Sequence, residues 1–305
     1  MTALALYTTV YPGVERYLAA WHRSVRAQTD QDFQLWIGLD KIGIEAATGA
    51  MGGDPGAIWV PGARGDTPAQ VRQRALAQIV GRHDGVVLVD SDDVLHPARL
   101  AVARAMLDRD DVAGCALRLV DQEGQDMGLT FGLPPQSAPE DVLPRNNVFG
   151  LSNSALRADL LRRCLPIPPT VALVDWFLAT RAWLFGARMA FDNEVGMDYR
   201  QHGANMVRVI PPFQDQQVAQ DTERVRRHFQ IVQTSPIDGA LSRRLARLAR
   251  VAEDIEVFHE RVATRPARLR RYVRALNALE TAPLWWSCVA NPSLRHMWTS
   301  EEEAA

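Results

Sequence analysis

The chain has 305 residues, 47% of them apolar, and a formal net charge of −2. That is enough for one large α/β domain with an appendage, or two modest domains. A charge so near zero excludes the broad cationic field of a nucleic-acid binder, so no nucleic-acid partner is expected.

Ala3–Thr9 reads as a first strand, closed by the Pro12-Gly13 turn. Leu18, Trp21 and Val25 then recur at helical spacing within residues 15–28. Phe33–Leu39 is a second strand ending at Asp40, and Gly and Pro punctuate residues 49–68. Thr67-Pro68 has the form of an N-cap followed by a proline at the first helical position, opening a helix to about Val80. Val86–Val89 is a strand, residues 97–108 a helix, Val112–Val120 a strand and Asp121–Gly124 a turn. Alternation of this kind argues for an α/β fold with a doubly wound, mostly parallel sheet. Residues 129–148 read as a long loop of the kind that often serves as a lid. Ser154–Leu165 and Asp175–Phe185 read as helices, the second closed by Gly186. Met189–Phe191 and Val195–Tyr199 read as short strands.

Beyond about Asn205 the character changes, which divides the chain into residues 1–205 and an α-helical region over 206–305. Leu241, Leu245, Leu248, Ala252, Ile255 and Val262 form an amphipathic stripe. From Arg243 to Arg274 ten arginines face four acids. Three roles fit these helices: packing on the first region, homodimerisation through the leucine stripe, or peripheral contact with an anionic membrane with Trp285 and Trp286 as interfacial anchors. Cys115, Cys164 and Cys288 are odd in number and lack metal-ligand spacing, as expected of reduced thiols in a cytoplasmic protein. Neither a signal peptide nor a run of 18 apolar residues is evident.

The segment with the most chemistry is Val86-Val-Leu-Val-Asp90-Ser91-Asp92-Asp93. An apolar run of this kind is a buried strand, and open α/β sheets bind ligands at the carboxyl ends of their strands. Three carboxylates crowded there repel one another unless a cation sits among them. A divalent cation carrying a phosphate-bearing ligand satisfies both constraints. The plain alternative is a helix cap, but a cap needs one acid and not three. A phosphohydrolase of the haloacid dehalogenase type also carries Asp-x-Asp after a strand. That chemistry uses a lysine beyond the motif, and Lys41, the only lysine, precedes it.

Five ordered landmarks resemble the family 2 glycosyltransferases of GT-A fold. Thr8 to Asp40 is similar to the opening strand, helix and strand, with Ser24-Val25-x-x-Gln28 matching S-V-x-x-Q. Where the family ends its second strand in Asp-Asp-Gly-Ser, this chain has Gly38-Leu39-Asp40-Lys41. Arg74, sixteen residues before Asp90, stands where the family has the arginine of A-R-N. Val112–Gly124 resembles the strand and turn that follow Asp-x-Asp. Val174-Asp175-Trp176, followed by Arg181 and Gly186, resembles E-D-W…R…G, with valine in place of the glutamate. Tyr199-Arg200-Gln201-His202-Gly203-Ala204-Asn205 resembles Y-R-x-H-x-x-N.

The resemblance implies a metal-dependent, inverting transfer of a sugar from a nucleoside-diphosphate donor to a saccharide or lipid-linked saccharide. Asp92 would bind Mn²⁺ or Mg²⁺, with His202 as a further ligand or diphosphate contact. Thr8, Asp40, Asp90, Ser91 and Arg74 would line the donor site. Asp175 would be the general base, or else an N-cap. Trp176 would offer a face to the acceptor sugar or pack in the core. Asp93 would share the metal shell, touch the acceptor or cap the next helix. Arg200 would meet phosphate or pair with Asp198. A non-catalytic nucleotide- or saccharide-binding domain of the same fold is the alternative, favoured by the absent acids at Leu39 and Val174.

Overall fold

A computed structural model describes residues 3–202, 208–280 and 283–299. The elements run β1 (Leu4–Val10), α1 (Glu15–Arg26), β2 (Phe33–Leu39), α2 (Ile44–Met51), β3 (Ile58–Pro61), α3 (Pro68–Ile79), β4 (Gly85–Leu88), β5 (Val94–Leu95), α4 (Arg99–Leu107), β6 (Val112–Val120) and β7 (Asp126–Phe131). They continue as α5 (Pro139–Val142), β8 (Ser154–Arg157), α6 (Ala158–Cys164), α7 (Val174–Leu184), β9 (Met189–Arg200), α8 (Asp215–Thr234), α9 (Ser242–Phe258), α10 (Pro266–Asn277) and the short α11 (His296–Thr299).

One sheet carries the molecule, with strands in the order β3-β2-β1-β4-β8-β6-β9-β5 and β7 paired to β6. The pairings β1–β2, β1–β4, β2–β3 and β6–β9 are parallel, and β8 lies antiparallel between β4 and β6. Six of the nine strands therefore point the same way, which is the α/β, mostly parallel sheet expected. β1 and β4 are buried at every position, as strands covered by helices on both faces must be.

The local capping chemistry of α3 is realised. Thr67 Oγ1 accepts from Gln70 N, Gln70 Oε1 accepts from Thr67 N, and Pro68 occupies the first turn. Other expectations shift. Residues 154–157 are a strand before α6, because Ser154–Leu156 supply the ladder between β4 and β6. The two short strands expected over 189–199 are one long strand, β9, whose pairing with β6 is interrupted near Asp192–Met197. The long loop over 129–148 is partly ordered as the end of β7 and as α5.

The C-terminal helices pack on the body and share its core. Val218, Val225, Phe229 and Val232 of α8 are buried together with Trp176 and Phe177 of α7. Leu248, Ala252 and Ile255 of the expected stripe, and Val262 in the π-helical turn beyond α9, are buried within the chain. They are therefore not a free dimerisation face. Trp285 and Trp286, each 4% exposed, point inward and cannot serve as interfacial anchors. Trp285 packs against Phe131 with ring centroids 4.0 Å apart. No helix among the described residues is long and apolar enough to cross a membrane.

Candidate active site

A cavity of about 920 Å³ opens along the carboxyl ends of β1, β2 and β4 and is roofed by α7, α8 and residues 285–286. That size is at the upper end of small-ligand sites. Its walls bring together Asp40, Asp90, Asp92, Asp175 and His202 from the expected set.

The acidic segment follows β4 and is held from both sides. Val89 N donates to Tyr7 O at 3.1 Å, and Ser91 Oγ donates to Thr9 O at 2.8 Å. After the turn, β5 pairs with β9 at Val94↔Asp198 and Leu95↔Met197. Ser152 Oγ bridges two of the acids, donating to Asp90 Oδ2 at 3.0 Å and lying in short contact with Asp93 Oδ2. Arg200 completes the clasp: its backbone N donates to Asp93 Oδ1 at 2.8 Å and its Nε to Asp92 O at 2.9 Å. The same guanidinium reaches Gln122 O at 2.9 Å and lies over the Tyr17 ring. Arg200 thus holds the acidic turn. Asp198 is not its partner, being engaged by Arg118 in two hydrogen bonds (2.8 and 2.9 Å) and by His96 at 2.8 Å.

Asp92 and His202 meet across this turn, Nε2 to Oδ2 2.9 Å, and the His202 ring stacks on Tyr17. Among the described residues no three His, Cys, Asp or Glu side chains form a ready metal cluster. The pair still fits Mn²⁺ or Mg²⁺. Both groups face the cavity, and such ions take only one or two protein ligands, with phosphate oxygens and water filling the rest. Burial, reinforced by the charge of Asp92, pushes the Asp90 carboxyl up to about 7. The Asp93 carboxyl is raised as well, and burial is again the first cause.

Asp175 sits in the first turn of α7, after Leu173 at the N-cap position, so it is not the cap. Burial raises its carboxyl to about 6, against the lowering influence of backbone hydrogen bonds, Arg72 and Asn147. Asn147 is fully buried; its Nδ2 donates to Asp175 Oδ2 at 3.1 Å, and its Oδ1 accepts from Phe149 N at 3.0 Å. The carboxylate is thus aimed by a residue that cannot itself turn.

Several expected residues stand elsewhere. Thr8 and Ser91 are buried beside the cavity without lining it; Thr9 lines it in place of Thr8. Asp93, 1% exposed, is enclosed by Ser152 and Arg200 and does not line the cavity. Arg74 is exposed and pairs with Asp66 at 2.6 Å, off the cavity. Arg72, two positions earlier, is the arginine on the wall. Trp176 is fully buried, stacked on His228 (ring centroids 4.3 Å) and on Trp286 (6.0 Å), so it is core and not a sugar platform. Gly203, Ala204 and Asn205 lie outside the described residues.

Sequence reading missed Arg72, Ser152 and Asn147, and the α8 and C-terminal contributors Arg224, Arg227, His228, Trp285 and Trp286. For α8 a signal was present: Val218, Thr222, Val225, Phe229 and Val232 recur at helical spacing and are buried.

No family model matches this chain, and no curated protein matches it. Solved structures do. TarS of S. aureus superimposes with a TM-score of 0.52 at 16% identity, over 84% of this chain and 43% of that one, so this chain spans less than half of that protein. A TarS form comprising residues 1–349 in complex with UDP-GlcNAc gives 0.53 at 13% identity, over 84% and 72%. The mannosyltransferase PcManGT of Pyrobaculum calidifontis, in complex with GDP-Man and Mn²⁺, gives 0.50 at 14% identity, over 97% and 84%. At such identities the likeness is one of fold, and the fold of this chain is the GT-A type.

Proposed function

We propose that this protein is a metal-dependent, inverting glycosyltransferase that moves a sugar from a nucleoside-diphosphate donor to a hydroxyl of a saccharide or lipid-linked saccharide. One observation carries the reading. A cation-ready pair, Asp92 with His202, shares a single cavity with Asp175, a buried carboxylate whose proton affinity is tuned toward neutrality. The superimposed structures that hold UDP-GlcNAc, or GDP-Man with Mn²⁺, support the donor class and the metal.

Each residue then has a task. Asp40, at the end of β2, accepts hydrogen bonds from base or ribose. Asp90, oriented by Ser152, accepts from ribose hydroxyls. Arg72 presents its guanidinium to the diphosphate, the geometry arginine recognises best. Asp92 and His202 hold Mn²⁺ or Mg²⁺, which when bound neutralises charge on the departing diphosphate as a Lewis acid. Asp175 takes the proton of the attacking acceptor hydroxyl, oriented by Asn147. Displacement in one step inverts the anomeric carbon and needs no covalent intermediate.

Asp92→Ala should abolish Mn²⁺-dependent binding of UDP or GDP in calorimetry while leaving the melting temperature near that of the parent. Asp175→Asn should retain that binding and lose transfer by about 10²-fold or more. Full transfer by Asp92→Ala would sink the metal role. Nucleotide binding with neither hydrolysis nor transfer in the parent protein would make the chain a binding domain instead.

A further inference from the structure

The four acids on the cavity wall are Asp40, Asp90, Asp92 and Asp175, and the first three gather at the strand ends where the donor is read to sit. The opposite wall has a different character. α8 turns Arg224, Arg227, His228 and Ile231 toward the cavity. These positions are spaced i, i+3, i+4 and i+7, which is one face of a helix. Trp285 and Trp286 border that face. Asp175 stands at the start of α7, the helix on which α8 packs through Trp176 and His228.

The two arginines are prepared differently. Arg224 Nη1 is fixed at 2.7 Å from Asp221 Oδ1, and Asp221 is fully buried, with its other oxygen accepting from Gln217 Nε2 at 2.8 Å. Arg227 is exposed on the wall and makes no ion pair or hydrogen bond among the described residues. His228, pushed down to about 3 by burial, is neutral and adds no charge. This wall is therefore cationic through one anchored and one available guanidinium, beside aromatic edges. Trp286, which borders the cavity, holds a backbone φ of +68°, a conformation costly for a bulky side chain. A neutral sugar hydroxyl accepts a guanidinium N–H singly and without charge assistance, whereas a carboxylate or phosphate on the acceptor takes it in two parallel, roughly twice as strong hydrogen bonds.

We infer that the acceptor is an acidic saccharide, carrying a carboxylate or phosphate near the accepting hydroxyl, and that Arg227 recognises that group. The inference rests on the glycosyltransferase reading above and names the acceptor class for the same cavity.

The test keeps the donor half filled, so that an anionic probe cannot settle on Arg72 or the metal pair. The full chain is saturated with Mn²⁺ and with UDP or GDP, whichever binds. It is then titrated with methyl glucuronide, glucose 6-phosphate and methyl glucoside. At least one anionic probe should bind about tenfold or more tightly than the neutral glucoside, the scale of one charge-assisted hydrogen-bonded contact. The better of the two identifies carboxylate or phosphate as the group read. Arg227→Gln, an exposed change, should erase that preference while nucleotide affinity, measured in parallel, serves as the control. Equal affinity for all three probes, no probe bound, or a preference that survives in Arg227→Gln would overturn the inference and leave the glycosyltransferase reading standing. Failure of both nucleotides to bind with Mn²⁺ would instead bring down that reading, and this one with it.

Discussion

Arg72 and Arg74 differ by two positions on α3, about 200° of helical turn, so only one can face the cavity. Burial of Ala69, Val71, Ala75, Leu76 and Ile79 rotates the helix so that Arg72 does. Arg74 instead makes a surface pair with Asp66, which solvent screens strongly. Arg72→Ala should therefore weaken UDP or GDP binding by about tenfold or more, whereas Arg74→Ala should change it by less than about threefold; calorimetry on the two variants checks both. Asp175 makes a second prediction. Its carboxyl titrates at about 6, and a general base works only when deprotonated. At saturating donor, kcat/KM for the acceptor should therefore fall tenfold per pH unit below about 6 and level off above it. Asn147→Ala removes a hydrogen bond that favours the charged carboxylate, so the acid limb should move to higher pH. A limb that stays put in this variant would dismiss Asn147 as an aiming residue.

At the scale of elements, the acidic turn depends on segments distant in sequence. Ser152 and Arg200 grip it from the loop before β8 and from the end of β9. The loop before β8 is in turn fitted to the C-terminal segment. A Cβ added at Gly150 would come within 2.4 Å of the Trp285 ring, and Trp285 also bridges to Asn147 in an isolated antiparallel β-pair. Gly150→Ala must push that indole or the loop aside, at about 1–3 kcal/mol. The expected outcome is a lowered melting temperature together with weakened nucleotide and acceptor affinity. A variant with parental stability and parental binding would show that the loop and the C-terminal segment are not coupled. The same long-range dependence explains which elements were hard to read. Residues 154–157 look helical in isolation, but the gap between β4 and β6 draws them into the sheet.

For the whole molecule, the division at residue 205 is better described as a change of composition than as a boundary between cores. Trp176 of α7 is covered by His228 and Phe229 of α8 and by Trp286, and the buried residues form one continuous cluster. We therefore expect a single cooperative thermal transition for the full chain, with intrinsic fluorescence and circular dichroism coincident. A fragment ending at residue 205 should fail to give a cooperative transition, because it exposes the Trp176 face. Two separate transitions would restore the two-domain division. Local pattern was enough to read the α/β class, the strand that runs into Asp90–Asp93 and the capped start of α3. All of these rest on short-range physics: apolar runs, caps, and a chain that must put its acids at a strand's end. Long-range packing, by contrast, is what turns Arg72 and not Arg74 to the cavity, encloses Asp93 and Trp176, and makes α8 with Trp285 and Trp286 the far wall. The rotation of a helix and the partner of a buried acid are set by which distant surfaces bury one another, and no local pattern encodes that choice.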